Sequence, residues 1–155
     1  TVRFDGPCDR CEARPLRASA SRAAGTAALA VDGDAATAWC ATGPGRGHHQ
    51  SLTLQLPVPT NPHLTLLPGH FGSEADLFGH SRVKRLLVHT DTDAPPVELA
   101  LPDIPPDVGT KARPFTPVPL QAPGATEVTL TVLETWPAPQ GAPVCMADVA
   151  LYSRW

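Results

Sequence analysis

The sequence predicts an all-β domain, an antiparallel β-sandwich of the jelly-roll type, and three observations support this prediction. First, 19 prolines and 12 glycines divide the 155 residues so finely that few segments could hold a helix of ordinary length. Second, apolar and polar residues alternate with a period of two in several short segments, as in strands with one buried face. Third, no helical segments separate these strands to form the crossovers that a parallel sheet needs.

The alternation is clearest in two segments, 51–58 and 127–133. Their apolar positions are Leu52, Leu54, Leu56 and Val58 in the first, and Val128, Leu130 and Val132 in the second. Five further strands, each flanked by proline, glycine or aspartate, are predicted over 64–67, 83–89, 97–101, 115–120 and 148–152. The alanine-rich segment 21–29 predicts only a short helical turn, because the turn residues that follow end it quickly.

Length and composition favour one packed domain. Hydrophobic residues make up 42% of the chain and charged residues 17%, which is enough apolar surface for a core. We expect the domain to occupy 15–155, after a lead-in at 1–14. A net charge of -3 without a basic cluster argues against a nucleic-acid partner, and the apolar segments are shorter than the ~20 residues that span a bilayer. Because the chain begins at Thr1, we expect a mature or excised fragment.

Four cysteines predict two disulfides and therefore an oxidising compartment, secreted or extracytoplasmic. The spacing alone leaves all three connectivities of Cys8, Cys11, Cys40 and Cys145 open. A zinc site is the alternative, but its ligands would follow no familiar zinc motif; they would be Cys8, Cys11, Cys40 and either His48 or His49.

The segment Asp32-Gly33-Asp34, followed by Thr37, carries the most chemistry. A tight loop here could direct carboxylate, hydroxyl and carbonyl oxygens toward one point, and hard oxygen ligands suit calcium. The same three residues are also a common turn without any metal. Spacing alone favours the turn.

Three motifs in order resemble the discoidin, or coagulation-factor type C, domains of the galactose-binding-like superfamily. They are A-S-A-S with A-V-D-G-D-x-x-T-A-W near the start, L-P-G-H-F with R-V-K-R-L in the middle, and C-M-A-D-V-A-L at the end. The resemblance covers about 15–155 and is closest to the bacterial NADase-type glycan-binding domains. It implies a non-catalytic module of a larger secreted or envelope protein, which binds a glycan or another cell-surface ligand.

The resemblance also implies a structural calcium site. Its ligands would be the carbonyl of Leu29, the carboxylate of Asp32, the carbonyl of Asp34, the hydroxyl and carbonyl of Thr37, and the pair Ala147 and Asp148 from the last strand. Asp148 departs from the usual glutamate, so its shorter carboxylate must come closer or bind through water. A shared ion would bring Cys40 near Cys145, which implies that these two cysteines are paired and that Cys8 pairs locally with Cys11.

The predicted ligand-binding residues combine planar donors with an aromatic ring: His70, His80, Arg82 and Trp136. Alternatively, Arg82 is an ion-pair partner and Trp136 caps the sandwich. An alternative function is protein or phospholipid docking through apolar loop tips at Phe71, Leu77 and Phe78. A hydrolase using Ser81 is disfavoured, because the nucleophile motif has Val83 in place of its second glycine.

Overall fold

The computed structural model describes residues 17–20, 24–41 and 49–153, so the lead-in 1–14, with Cys8 and Cys11, lies outside the described residues. These described residues form nine strands and one short α-helix, α1 (Glu74–Gly79). The strands are β1 (Arg17–Ala20), β2 (Ala38–Cys40), β3 (Ser51–Thr60), β4 (His63–Leu67), β5 (Arg82–Thr90), β6 (Val97–Ala100), β7 (Val118–Pro119), β8 (Ala125–Trp136) and β9 (Cys145–Tyr152).

The strands form two sheets in which every described pairing between strands is antiparallel. The five-stranded sheet has the order β1-β3-β8-β5-β6, and the four-stranded sheet has the order β2-β9-β4-β7. Three-residue 3₁₀ turns and a longer 3₁₀ segment, Ala24–Ala30, lie between them in the chain. The predicted all-β sandwich is therefore confirmed. No helix within the described part of the chain is long and apolar enough to cross a membrane.

One hydrophobic core fills the space between the sheets, as the alternating pattern predicts. Leu52 and Leu54 of β3, and Val128 and Leu130 of β8, are fully buried in this core together with Trp39. A smaller cluster beside it includes Phe71, Leu77 and Ala147. Burial of one large apolar side chain contributes about 1.5–3 kcal/mol, so the sandwich rests mainly on these inward-facing residues.

Some elements differ from the sequence prediction. The strand predicted at 115–120 is reduced to Val118–Pro119, because Pro114, Pro117 and Pro119 have no N–H to donate to a neighbouring strand. β1, β2 and α1 were not predicted. The segment expected to form a short helical turn is the 3₁₀ segment Ala24–Ala30, and the proline-rich stretches at 93–96 and 102–106 contain no strand.

Candidate functional site

The loop before β2 gathers oxygen atoms around the hydroxyl of Thr37. Its Oγ1 lies 2.5 Å from Asp32 Oδ2, 3.1 Å from the Asp34 carbonyl and 3.4 Å from the Leu29 carbonyl. A hydroxyl has one proton, so it can donate fully to only one of these three acceptors. The loop therefore gathers three acceptor oxygens around one hydroxyl proton, and the Asp34 carbonyl also accepts from the Thr37 N–H at 3.2 Å.

Local hydrogen bonds shape this loop. The Asp32 Oδ1 accepts from the Asp34 N–H at 2.9 Å, and the Asp34 Oδ1 accepts from the Ala36 N–H at 2.9 Å. Gly33 has φ 79°, a left-handed conformation that glycine adopts without a steric penalty. The Asp34 side chain is thus used inside the turn, while its carbonyl faces Thr37.

The last strand lies directly beside this loop. Ala38 pairs with Ala147 at the end of the β2–β9 ladder, so Thr37 and Asp148 each directly adjoin a paired residue, one on either strand. A register shift between β4 and β9 covers the same part of β9, and Asp148 has φ 47°. Aspartate tolerates this left-handed conformation better than most side chains, and a bulge of this kind redirects a side chain. The end of the loop and the irregular part of β9 are therefore adjacent along the backbone.

The predicted disulfide between Cys40 and Cys145 is present. The two cysteines are also direct partners in the β2–β9 ladder, two register steps from the Ala38–Ala147 pair. Two links, one covalent and one formed by the ladder, thus hold β2 against the final strand.

Among the predicted ligand-binding residues, Arg82 is the most deeply buried, with 9% of its side chain exposed. Its Nε lies 2.5 Å from Asp103 Oδ1, and its Nη1 donates to the carbonyls of Leu77 (3.0 Å) and His80 (3.1 Å). The guanidinium also lies 5.4 Å from the ring centroid of Phe78. These bonds give Arg82 a structural role between α1 and the five-stranded sheet. Its contact with a ligand remains an untested prediction.

His70 and His80 form a stacked pair next to Arg82. Their ring centroids lie 5.2 Å apart at an interplanar angle of 21°. His80 Nδ1 lies 2.8 Å from the Asp76 carbonyl, and His70 Nδ1 accepts from the Gly72 N–H at 3.2 Å. Both rings are half-buried, and each already uses one nitrogen within the protein.

Trp136 is the predicted residue that lines an open depression. It pairs with Arg82 where β8 and β5 meet, but Arg82, His70 and His80 do not line this depression. The depression has a volume of about 400 Å³ and lies where β5, the end of β8 and the chain after β6 meet. Its lining residues are Lys84, Arg85, Ala100, Leu101, Pro102 and Trp136.

Bonds to the surrounding chain fix this aromatic surface. The Trp136 Nε1 donates to the Leu101 carbonyl at 3.0 Å, and the Lys84 ammonium lies 4.5 Å from the ring centroid. Glu134 lies 2.6 Å from Arg85 Nε and 3.7 Å from Lys84 Nζ. A half-buried aromatic ring therefore stands beside two cations and a carboxylate that are about 40% exposed.

Sequence reasoning missed Lys84, Arg85 and Glu134. The alternation within β5 places Lys84 away from the core, which would have identified it as a surface residue. The irregular pairing of β5 with β8, however, decides which residues flank Trp136, and no single-strand pattern contains that information.

Two earlier hypotheses concerned residues that the structure buries. Phe71 and Leu77 are 6% and 0% exposed, so they are core residues and not apolar loop tips; Phe78 is half-buried. Ser81 is also fully buried, and its hydroxyl donates to the Ala142 carbonyl at 2.6 Å and accepts from the Ala138 N–H at 3.1 Å. This hydroxyl serves as a link between loops.

A second depression, of about 290 Å³, lies on the four-stranded sheet. Arg113, Phe115 and Tyr152 line it together with Thr65 and nearby prolines. None of the predicted ligand-binding residues lies there.

Solved structures with a similar fold include carbohydrate-binding modules and an F5/8 type C domain. The family 32 carbohydrate-binding module of NanJ from Clostridium perfringens, solved with galactose, has 16% identity, a TM-score of 0.65, and coverage of 92% of this chain and 98% of its own. A family 32 module from a family 31 glycoside hydrolase of the same organism has 19% identity, a TM-score of 0.66, and coverage of 94% and 96%. An F5/8 type C domain from Bacteroides fragilis has 15% identity, a TM-score of 0.64, and coverage of 96% and 99%.

The fold is therefore that of the family 32 carbohydrate-binding modules and discoidin-like F5/8 type C domains, as the sequence resemblance implies. No protein-family model matches the sequence, and no curated protein matches it either. Fold alone does not assign a ligand, so the chemistry of the described surfaces has to carry any functional proposal.

Proposed function

We propose that this chain is a non-catalytic carbohydrate-binding module of a larger secreted or envelope protein. The observation that carries the proposal is the depression around Trp136, where a half-buried indole stands beside Lys84, Arg85 and Glu134. The apolar C–H face of a sugar ring packs on an aromatic face, and its hydroxyls bond to planar or charged groups. All of these partners are present within one surface.

The charges around the ring favour a neutral sugar. Lys84 and Arg85 are balanced by Glu134 and Glu98, which lies 2.6 Å from Arg85 Nη1. The side chain of Lys84 is 40% exposed, so it can turn away from the indole to bond a hydroxyl at little cost. The similar modules from Clostridium perfringens, one of which was solved with galactose, support a sugar as the ligand.

The test is a screen of immobilised glycans followed by calorimetry with the best sugar. Trp136→Ala should weaken binding by at least about tenfold, since aromatic contacts of this kind are worth about 0.5–1.5 kcal/mol beyond their area and 1.4 kcal/mol is tenfold. Lys84→Met should weaken binding less. The matched control is Arg113→Ala in the depression on the opposite sheet, which should bind like the wild type.

Two results would count against this site. A protein that binds no glycan in the screen lacks the proposed function. If glycan binding survives Trp136→Ala but is lost in Arg113→Ala, the sugar occupies the other depression. Far-UV circular dichroism of each variant shows that the sandwich is intact.

We also propose that the loop before β2 and the last strand hold a structural calcium ion. The ligands would be Leu29, Asp32, Asp34 and Thr37 from the loop, with Ala147 and Asp148 from β9. The three acceptor oxygens around one hydroxyl support this proposal, because the hydroxyl proton can satisfy only one of them and each carbonyl or carboxylate oxygen has a second lone pair for a cation. The donor set consists of oxygen atoms only, which is the chemistry that Ca²⁺ prefers.

Calcium should stabilise the wild-type protein in a thermal melt, by about 2.7 kcal/mol at a free concentration 100 times the dissociation constant. Asp32→Asn and Thr37→Val should each remove most of this gain, because each takes away an oxygen ligand or its charge. Asp93→Asn, an exposed aspartate in the turn after β5, is the matched control. An equal calcium response in Asp32→Asn and in the wild type would contradict the proposed site, and so would the lack of a response in the wild type.

A further inference from the structure

A second group of potential metal ligands shares no residue with the proposed calcium site and lies two register steps from the Ala38–Ala147 pair. Cys40 Sγ, Cys145 Sγ and a ring nitrogen of His80 all lie within 4.8 Å of one another. Cys145 is fully buried, and the other two residues are half-buried. In the oxidised protein the two sulfurs are joined, so the group as described holds a disulfide with an imidazole beside it.

The backbone places these residues together without relying on the disulfide. Cys40 and Cys145 are paired in the β2–β9 ladder, and the Ala41 N–H donates to the Val144 carbonyl at 2.9 Å. The Cys145 N–H donates to the carbonyl of Ser81, the residue after His80, at 3.2 Å. Reduction would break one covalent bond and leave these backbone bonds in place.

The hydrogen bond of His80 prepares its ring for a metal. A carbonyl only accepts, so the Nδ1 atom that lies 2.8 Å from the Asp76 carbonyl carries the proton of a neutral ring. The other nitrogen, Nε2, then has a free lone pair. Histidines that bind metals commonly have this arrangement, with the second ring nitrogen donating to a carbonyl or carboxylate.

We propose that the reduced chain binds Zn²⁺ through Cys40, Cys145 and His80. A thiol reductant supplies two electrons and two protons to the disulfide and becomes a disulfide itself. Zinc binding then releases the two thiol protons and forms two Zn–S bonds and one Zn–N bond. The two cysteines therefore either form the disulfide or bind zinc. Neither state depends on glycan binding.

The distances are close to those that zinc requires. Zn–S bonds of about 2.3 Å and Zn–N bonds of about 2.0–2.1 Å at tetrahedral angles put ligand atoms about 3.5–3.8 Å apart. Ligand atoms that already lie within 4.8 Å can reach this spacing through small side-chain rotations. Two thiolates side by side at a buried position also repel each other, and a divalent cation removes that repulsion.

The neighbouring His70 stays outside the metal shell. Its Nδ1 accepts from the Gly72 N–H, so in the neutral ring the proton sits on Nε2 and no lone pair is left there. The stacked His70 ring instead limits rotation of His80. The fourth zinc position is then left to water, so the site has three protein ligands and one open position.

The experiment uses the full chain with Cys8→Ser and Cys11→Ser, so that only the described pair of cysteines can bind. The protein is reduced with a phosphine and titrated with Co²⁺, whose tetrahedral thiolate complexes absorb visible light, and then with Zn²⁺ in competition. We expect one metal per chain in the reduced protein and no thiolate–cobalt absorption in the oxidised protein. The Cys40→Ser/Cys145→Ser variant should show none in either state.

The His80→Ala variant tests whether His80 is a ligand of the metal. Loss of this ligand should weaken metal binding by at least about tenfold, whereas His89→Ala, an exposed histidine on β5, should bind like the parent. If the reduced chain unfolds, its two cysteines could still capture metal, but binding would then be equal in His80→Ala and would overturn the proposal. The absence of cobalt–thiolate absorption in the reduced parent would overturn it as well.

Discussion

Arg82 and Arg85 lie three residues apart on β5, yet their surroundings differ sharply. The Arg82 side chain is 9% exposed and bonds to a carboxylate and two carbonyls, while the Arg85 side chain is 40% exposed between two glutamates. A buried charge that loses its partners is costly, whereas exposed ion pairs contribute little. The two arginines therefore form a natural pair for comparison.

We expect Arg82→Met to lower the free energy of unfolding by about 2–4 kcal/mol, because it leaves Asp103 and two carbonyls without their donor. Arg85→Met should cost less than about 1 kcal/mol. Urea unfolding followed by tryptophan fluorescence, to which the buried Trp39 contributes, measures both values. Equal losses in the two variants would contradict the structural role of Arg82.

The same residue shows what the sequence leaves undetermined. From the sequence, an arginine before a strand could equally well bind a ligand or form an ion pair. Only the position of α1 above Arg82 distinguishes these two roles. The sequence likewise left undecided whether Trp136 caps the sandwich or forms a binding surface. The residues around it come from three different strands, so their proximity depends on sheet pairing and on the bulges of β5 and β8.

At the scale of elements, Asp91 connects the turn after β5 to the start of β8. Its Oδ1 accepts from the N–H groups of Thr126 and Glu127 at 3.0 and 3.1 Å, and its Oδ2 accepts from the Thr126 hydroxyl. The Thr126 hydroxyl is the main cause that holds the pKa of Asp91 below its usual value of 3.8, with partial desolvation opposing it. The charged carboxylate therefore stabilises this junction.

A depressed pKa contributes stability above the unfolded value, and this stability is lost as the pH falls through the folded value. The difference in unfolding free energy between wild type and Asp91→Asn should thus be constant from about pH 5 to 7 and shrink below 3.8. Thr126→Val should reproduce most of this change. Urea unfolding across this pH range tests it, and a difference that persists unchanged in acid would contradict the assignment.

Strands with alternating residues were predictable from sequence, and those held by tertiary contacts alone were not. β3 and β8 contain the predicted segments 51–58 and 127–133 and extend them at one or both ends. β1 consists of small and polar residues, and its place at the sheet edge depends on pairing with β3. The helix α1 did carry a signal, because Ser73 accepts from the Asp76 N–H as an N-cap.

For the whole molecule, the order of the strands brings the proposed glycan site and the proposed calcium site to different elements. The calcium loop adjoins β2 and β9 in the four-stranded sheet, whereas the Trp136 depression lies on β5, β6 and β8 in the other sheet. The residues around Trp136 can therefore vary without disturbing the loop before β2. This separation is consistent with a scaffold on which different ligands can be bound.

The edges of the four-stranded sheet are short. β2 has three residues and is linked to β9 by the disulfide, and β7 has two residues, one of which is Pro119. Free N–H and C=O groups on an edge strand would otherwise recruit strands from another molecule. When copies of this domain are crowded together on a surface, the short edges of the four-stranded sheet offer few free backbone groups for pairing between molecules. Aggregation through these edges is therefore disfavoured.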